Sequence, residues 1–168
     1  MIRQSKSNVS DLIRNAVIED APAIASVLLQ AFIEYESLYT RAAFAATTPT
    51  ASQIEARWQE GPVWVALEKD HIVGTVAAVP KDSGLYIRSM AILPQARGQR
   101  IAGKLIQQIE NFAVDHHYQR LFLSTTPFLH PAIRLYEQFG FVRTNVGPHE
   151  LYGTPLFTME KFLHQNRE

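Results

Sequence analysis

Met90-Ala91-Ile92-Leu93-Pro94-Gln95-Ala96-Arg97-Gly98-Gln99-Arg100-Ile101-Ala102-Gly103-Lys104-Leu105 is the stretch that decides the reading of this 168-residue chain. The apolar run Leu85 to Leu93 reads as a strand, and Pro94 ends it. A short polar loop follows. A helix is then expected from about Gly98 to His116, with a buried stripe at Ile101, Leu105, Ile109, Phe112 and Ala113. The start of a helix leaves four amides without intrahelical partners and carries partial positive charge, so a phosphate or pyrophosphate fits there. Gly98 and Gly103 allow a ligand or a neighbouring backbone to come close. Arg97, Arg100 and Lys104 add cations. Basic residues in a first turn oppose the helix dipole, and three in eight residues point to a bound anion. The segment has neither G-x-x-x-x-G-K-[ST] nor G-x-G-x-x-G, so neither a P-loop nor a dinucleotide fingerprint is supported.

The flanking sequence supplies the other elements. Residues 12–16 form a short strand, and Asp20 with Pro22 opens a helix whose apolar face is Ile24, Val27, Leu28, Ala31 and Phe32. Residues 34–49 are mixed and aromatic, without an assigned element. Thr50 to Glu60 reads as a second helix stopped by Gly61-Pro62. Val63 to Glu68 and Ile72 to Val79 form a hairpin. Strand Leu121 to Thr126, helix Pro131 to Phe139 and strands Phe141 to Val146 and Pro155 to Phe162 complete the chain. A meander followed by a strand-helix-strand unit predicts an α+β fold, with a part antiparallel, part parallel sheet and helices on both faces.

Composition narrows the function classes. Apolar residues make up 46% and charged residues 19%, enough for one real core; residues 1–11 read as a flexible N-terminal segment and 12–168 as a single domain. Lys+Arg and Asp+Glu both number 16, so no global charge draws the chain to nucleic acid or an anionic membrane. No cysteine exists to form a disulfide, a thiolate metal site or a covalent acyl-thioester. No apolar run approaches a membrane span and the N-terminus lacks a secretory core, so a cytoplasmic protein is expected. No metal site is expected.

Two motifs carry a resemblance. Gln95-Ala96-Arg97-Gly98-Gln99-Arg100 is similar to the acyl-CoA motif [RQ]-x-x-G-x-[GA] of the GCN5-related N-acetyltransferases, departing at Arg100. Ala132-Ile133-Arg134-Leu135-Tyr136-Glu137-Gln138-Phe139-Gly140-Phe141 matches the family block A-x-x-L-Y-x-x-x-G-F throughout. The opening, Ile13 to Ala16 and Glu19 to Ile24, also resembles the family, and the likeness runs over roughly residues 12–163.

The resemblance implies a mostly antiparallel sheet with two splayed parallel central strands, ending near Ile92 and Thr126. Acetyl-CoA would lie between them as cosubstrate. The backbone of Met90, Ala91 and Ile92 would hold the pantetheine arm and thioester carbonyl. The amides of Arg97, Gly98, Gln99, Arg100, Ile101, Ala102 and Gly103, with Lys104 beside them, would hold the pyrophosphate. Arg100 keeps its amide if its backbone is helical; its side chain either contacts phosphate or lies in solvent. Tyr136 is the implied general acid for the departing thiolate; the other reading is a core tyrosine with its hydroxyl tied to backbone. Leu129, followed by His130, stands where the family often has asparagine.

No glutamate lies on strand 85–93 where relatives place a base. Glu34, Tyr35, Glu36, His149, Glu150 and Tyr152 border the acceptor side. The expected activity is acetyl transfer to a primary amine, on a small molecule or peptide, by direct attack in a ternary complex. The alternative is an acyl-CoA-binding sensor of the same fold. Exposed strand edges near 141–162 could pair in a homodimer.

Overall fold

The computed structural model describes residues 12–82, 84–98 and 100–164. Residues 1–11, expected to be a flexible segment, lie outside the described residues, as do Ser83, Gln99 and 165–168.

The chain enters through β1 (Ile13–Asn15) and passes into α1 (Ala21–Phe32), whose Pro22 occupies the first turn. A 3₁₀ segment, Ile33–Leu38, leads to α2 (Arg41–Thr47) and α3 (Ala51–Ala56). Three antiparallel strands follow: β2 (Val63–Glu68), β3 (His71–Lys81) and β4 (Gly84–Ile92). Helix α4 (Ile101–Asp115) crosses to β5 (Arg120–Thr125), which lies parallel to β4. Helix α5 (His130–Gln138) precedes β6 (Val142–Thr144). A separate hairpin, β7 (Glu150–Leu151) with β8 (Thr154–Pro155), leads into β9 (Phe157–Phe162). The seven-stranded sheet runs β1-β2-β3-β4-β5-β9-β6, antiparallel except at β4–β5.

Strand alternation sorts the two layers of core. Val63, Ala77 and Val79 face Ile24 and Leu28 of α1 and Ile54 of α3. Trp64, the next residue on β2, points the other way and meets Phe112 of α4 edge-on at 5.4 Å. Of the expected stripe of α4, Ile101, Leu105, Ile109 and Ala113 are buried and Phe112 partly so, while Ile106, not in that stripe, is fully enclosed. The expected α+β sheet with helices on both faces is the fold observed.

Local departures have local causes. The helix expected over Thr50–Glu60 ends at Ala56, and a 3₁₀ turn, Trp58–Glu60, takes over. Residues 34–49 hold the short α2, capped by the Thr40 side chain, which accepts from the Ala43 amide at 3.2 Å. The strand expected from Phe141 spans only Val142–Thr144. The strand expected from Pro155 is broken at Leu156, where the β7–β8 hairpin joins β9.

Candidate active site

The parallel pairing of β4 and β5 is two residues deep: Leu85 opposes Leu121 and Tyr86 opposes Phe122. Beyond that point the strands separate. The cause lies on the other edge of β4. Thr75 pairs with Ala91 and Ala77 with Arg88, so Ser89 and Met90 together oppose Val76. This is a β-bulge, with Ser89 at φ +57°, and a bulge bends its strand and increases its twist. From Ile87 to Ile92 the edge of β4 turned toward β5 has no strand partner there. Unpaired backbone amides and carbonyls require another partner. A cleft of about 870 Å³ opens at this point, a size suited to a cofactor-sized molecule.

Met90, Ala91 and Ile92 line one wall, and Leu123 to Thr125 of β5, with Thr126 just beyond it, line the facing one. The Thr126 hydroxyl is buried without a hydrogen-bond partner. The third wall is the start of α4. The helix begins at Ile101, three residues later than expected from the sequence, because Arg100 takes a left-handed conformation at φ +61°. The backbone at Arg100 is therefore not helical. The Lys104 amide donates to the Arg100 carbonyl at 3.2 Å and is already used. The amides of Ile101, Ala102 and Gly103 precede that bond, the first of the helix among the described residues, and all three residues line the cleft.

The three cations separate. Arg97 lines the cleft, but its guanidinium pairs with Glu34 at 2.6 Å and donates to the Ala31 carbonyl at 3.1 Å, satisfying the end of α1. Arg100 lines the cleft, whereas Lys104 is not on its wall. The two glycines also separate. Gly98, at φ +82°, borders open space. A Cβ on Gly103 would stand 3.0 Å from the Phe139 ring, so that glycine lets α4 approach the end of α5. Gln99 lies outside the described residues.

Helix α5 brings Tyr136 to the same cleft. Pro131, Ala132, Leu135 and Tyr136 form its exposed wall. Gly140, at φ +88°, stops the helix, and the Phe141 amide folds back to donate to the Tyr136 carbonyl at 3.0 Å. The Phe141 ring then packs beneath Tyr136, with centroids 5.8 Å apart. Tyr136 is 6% exposed. Its hydroxyl makes no hydrogen bond among the described residues. Burial, with a smaller contribution from nearby Tyr86, pushes its pKa well above the usual phenol range. The phenol therefore keeps its proton at neutral pH.

The geometry of the cleft agrees with what the chain is similar to. The family model described as Acetyltransferase (GNAT) family matches residues 25–141. The chain belongs to that family. It is 31% identical over 138 residues to the uncharacterized N-acetyltransferase YjgM of Escherichia coli (strain K12), covering 79% of this chain and 82% of that one. It is 33% identical over 105 residues to the N-acetylaspartate synthetase of Xenopus tropicalis, covering 60% of this chain. The match spans 39% of that longer relative. A crystal structure of the PaiA N-acetyltransferase from Thermoplasma acidophilum, in complex with coenzyme A, superposes with a TM-score of 0.76 at 16% identity, over 90% of this chain and 98% of that one. Membership makes this protein an acyl-CoA-dependent acetyltransferase with acetyl-CoA as cosubstrate.

The remainder of the cleft faces α1 and α3. Phe32, Tyr35 and Tyr39 line it beside Arg57, Arg88 and the hairpin residues Glu150 and Leu151. Phe128 braces this aromatic wall, edge-on to Tyr39 at 4.9 Å and stacked on Tyr35 at 6.2 Å. The β7–β8 hairpin is fastened across it. The Thr40 hydroxyl donates to the Tyr152 carbonyl at 2.8 Å, and the Thr40 amide donates to the Thr154 hydroxyl at 2.9 Å. Of the six groups considered as a base, Tyr35 and Glu150 line the cleft, and Glu34 is held by Arg97. Leu129 lines the cleft where the family often has asparagine, and His130 opens α5.

Sequence reasoning missed Arg57, Arg88 and the hairpin. Arg88 had a visible signal, a charge inside an otherwise apolar strand. The hairpin's signal was Tyr152-Gly153, a turn pair at positive φ. Among the described residues no group of three or more His, Cys, Asp or Glu is placed to hold a metal, and no helix is long and apolar enough to cross a membrane.

Proposed function

We propose that this acetyltransferase moves the acetyl group of acetyl-CoA to a primary amine by direct attack in a ternary complex. One observation supports the reading: the cleft between β4 and β5 brings the helix-start amides of Ile101, Ala102 and Gly103 and a tyrosine hydroxyl without a hydrogen bond among the described residues into one space. The pantetheine arm would extend along β4, pairing with the backbone of Met90, Ala91 and Ile92 as an added strand would. Its pyrophosphate would meet the amides of Ile101, Ala102 and Gly103, with Gly98 leaving room and Arg100 adding charge. Lys104 takes no part in this seating.

The amine loses a proton and its lone pair attacks the thioester carbon. The N–C bond forms, the C–S bond breaks, and the sulfur departs as a thiolate. Tyr136 donates its hydroxyl hydrogen toward that sulfur. The raised phenol pKa keeps this proton in place before attack. A thiol ordinarily ionises near pH ~8.5, so Tyr136 acts mainly by hydrogen-bonding the developing thiolate, and full transfer requires the desolvated cleft to raise the thiolate's basicity too. Glu150, on the acceptor side, is the carboxylate we assign to receive the ammonium proton, directly or through water.

The test is thiol release from acetyl-CoA across a panel of amines, with mass spectrometry of the products. Amine-dependent release with an acetylated product supports the proposal. Tight acetyl-CoA binding without release under every amine overturns it in favour of a sensor.

A further inference from the structure

The acceptor end of the cleft carries a charge arrangement that a plain amine does not require. Arg57, at the end of α3, and Arg88, on β4, both line the cleft. Arg88 shares the α1 face of the sheet, being paired across the ladder with Ala77. Its Nη1 donates to Glu60 at 2.8 Å, while its Nε is buried with no partner. Arg57 is half-buried and forms no ion pair among the described residues. Burial lowers its pKa, and the nearby Arg88 charge adds to the effect, only partly offset by Glu60. Two guanidinium groups thus share one carboxylate. A half-buried cation facing a like charge is costly unless an anion joins it. The planar donor fork of arginine matches a carboxylate. The β4 position fits this role: Arg88 lies four residues before Ile92, across the Ser89–Met90 bulge from the α4 start, so it stands toward the reacting end of an extended pantetheine.

We propose that Arg57, supported by Arg88, selects an acceptor that carries a carboxylate as well as its amine, an amino acid or a related amino carboxylate. This rests on the acetyl-transfer reading above and names its substrate class. Glu150 lines the same cleft and would supply the opposite charge for the ammonium.

The experiment uses the full chain with matched pairs: free L-amino acids of acidic, apolar and aromatic side chain, each against its C-terminal amide, with spermidine as a carboxylate-free amine. Thiol release gives kcat/KM for each. Binding to the complex with CoA is followed by calorimetry. The free acid should exceed its amide by at least about tenfold in the best pair. Arg57→Gln should bring acid and amide to within about threefold of each other, through KM for the acid, while KM for acetyl-CoA stays unchanged. Arg57→Lys should recover part of the preference and shows that the charge, not the fold, is read. Preference for amides or spermidine overturns the proposal, as does an equal loss on acid and amide in Arg57→Gln. If no amine is turned over, the transfer reading fails. Calorimetry then decides the carboxylate question alone: binding of acids but not amides upholds it, and binding of neither refutes it.

Discussion

Replacing Tyr136 by phenylalanine separates the chemistry of the cleft from its architecture. The ring supports Phe141 and fills the space between α5 and the sheet, and phenylalanine keeps all of that. The hydroxyl has no hydrogen bond among the described residues, so its removal leaves no orphaned partner. The cost to folding should be within about 0.5 kcal/mol, and the melting temperature should scarcely move. Turnover should behave otherwise. Positioned acids contribute typically about 10²- to 10⁴-fold, and the thiolate is a good leaving group, so the loss belongs at the low end, tenfold or somewhat more. Tenfold corresponds to about 1.4 kcal/mol of transition-state stabilisation.

The assay is single-turnover acetyl transfer, with acetyl-CoA affinity measured separately, so that product release does not mask the chemical step. Affinity should change less than about threefold, since the proposed seating holds the cosubstrate chiefly through backbone. The pH profile adds a second check. Because burial raises the phenol pKa, Tyr136 stays protonated to beyond the ordinary phenol value of about 10. It contributes no alkaline decline in rate between pH 7 and 10. Wild-type turnover in Tyr136→Phe would refute the acid role. So would a wild-type decline near pH 8 to 9 that vanishes in the variant, since it would mean the phenol ionises early.

Three further outcomes are expected. Thr40→Val removes both the cap of α2 and the hydroxyl bond to the hairpin. It should cost about 1–2 kcal/mol in thermal unfolding and raise KM for the amine with KM for acetyl-CoA unchanged. Gly61→Ala drives a Cβ into the Ala78 carbonyl oxygen, a backbone atom that cannot rotate away. Chemical denaturation should register a loss above about 3 kcal/mol. Finally, burial raises both Tyr39 and Tyr136 above their unfolded pKa. The folded state then holds protons that the unfolded chain releases. Stability is intact below pH about 10 and falls above it, by up to about 1.4 kcal/mol per pH unit for each group. Urea titrations from pH 9 to 11 should show the fall, and Tyr136→Phe should make it shallower.

The sheet was legible in the sequence because its strands are bounded by strong punctuation: Gly61-Pro62, Lys69-Asp70, Pro94. The motif around Tyr136 was legible for the same reason, since Gly140 stops α5 and Phe141 enters the core. Helix α4 was placed correctly by its stripe, but its first residue was not. Propensity carries no information about a non-glycine residue held at left-handed φ, which is the state of Arg100. The three cations looked like one cluster because sequence distance stood in for direction. Arg97 turns back to α1 and Lys104 is not on the cleft wall, which only tertiary packing decides. Arg57 and Arg88 are 31 residues apart along the chain and come together only in the folded chain, where Glu60, in the turn after α3, pairs with Arg88.

The shallow pairing of β4 with β5 has a mechanical consequence. Two residue pairs join a lobe made of β1 to β4 to a lobe made of β5, β9 and β6. Such a seam is where a sheet opens first, because few ladder bonds protect it. Acetyl-CoA laid along β4 would act as a stitch between the lobes, adding main-chain bonds on one side and helix contacts on the other. Occupancy then becomes cohesion: a ligand at a hundred times its Kd adds about 2.7 kcal/mol to the folded state. Amide protons flanking the gap, in Ile87 to Ile92 and Leu123 to Thr125, should exchange far more slowly in the loaded protein, while those of β2 should hardly respond. The cell's acetyl-CoA supply would thereby set the rigidity of this molecule as well as its saturation.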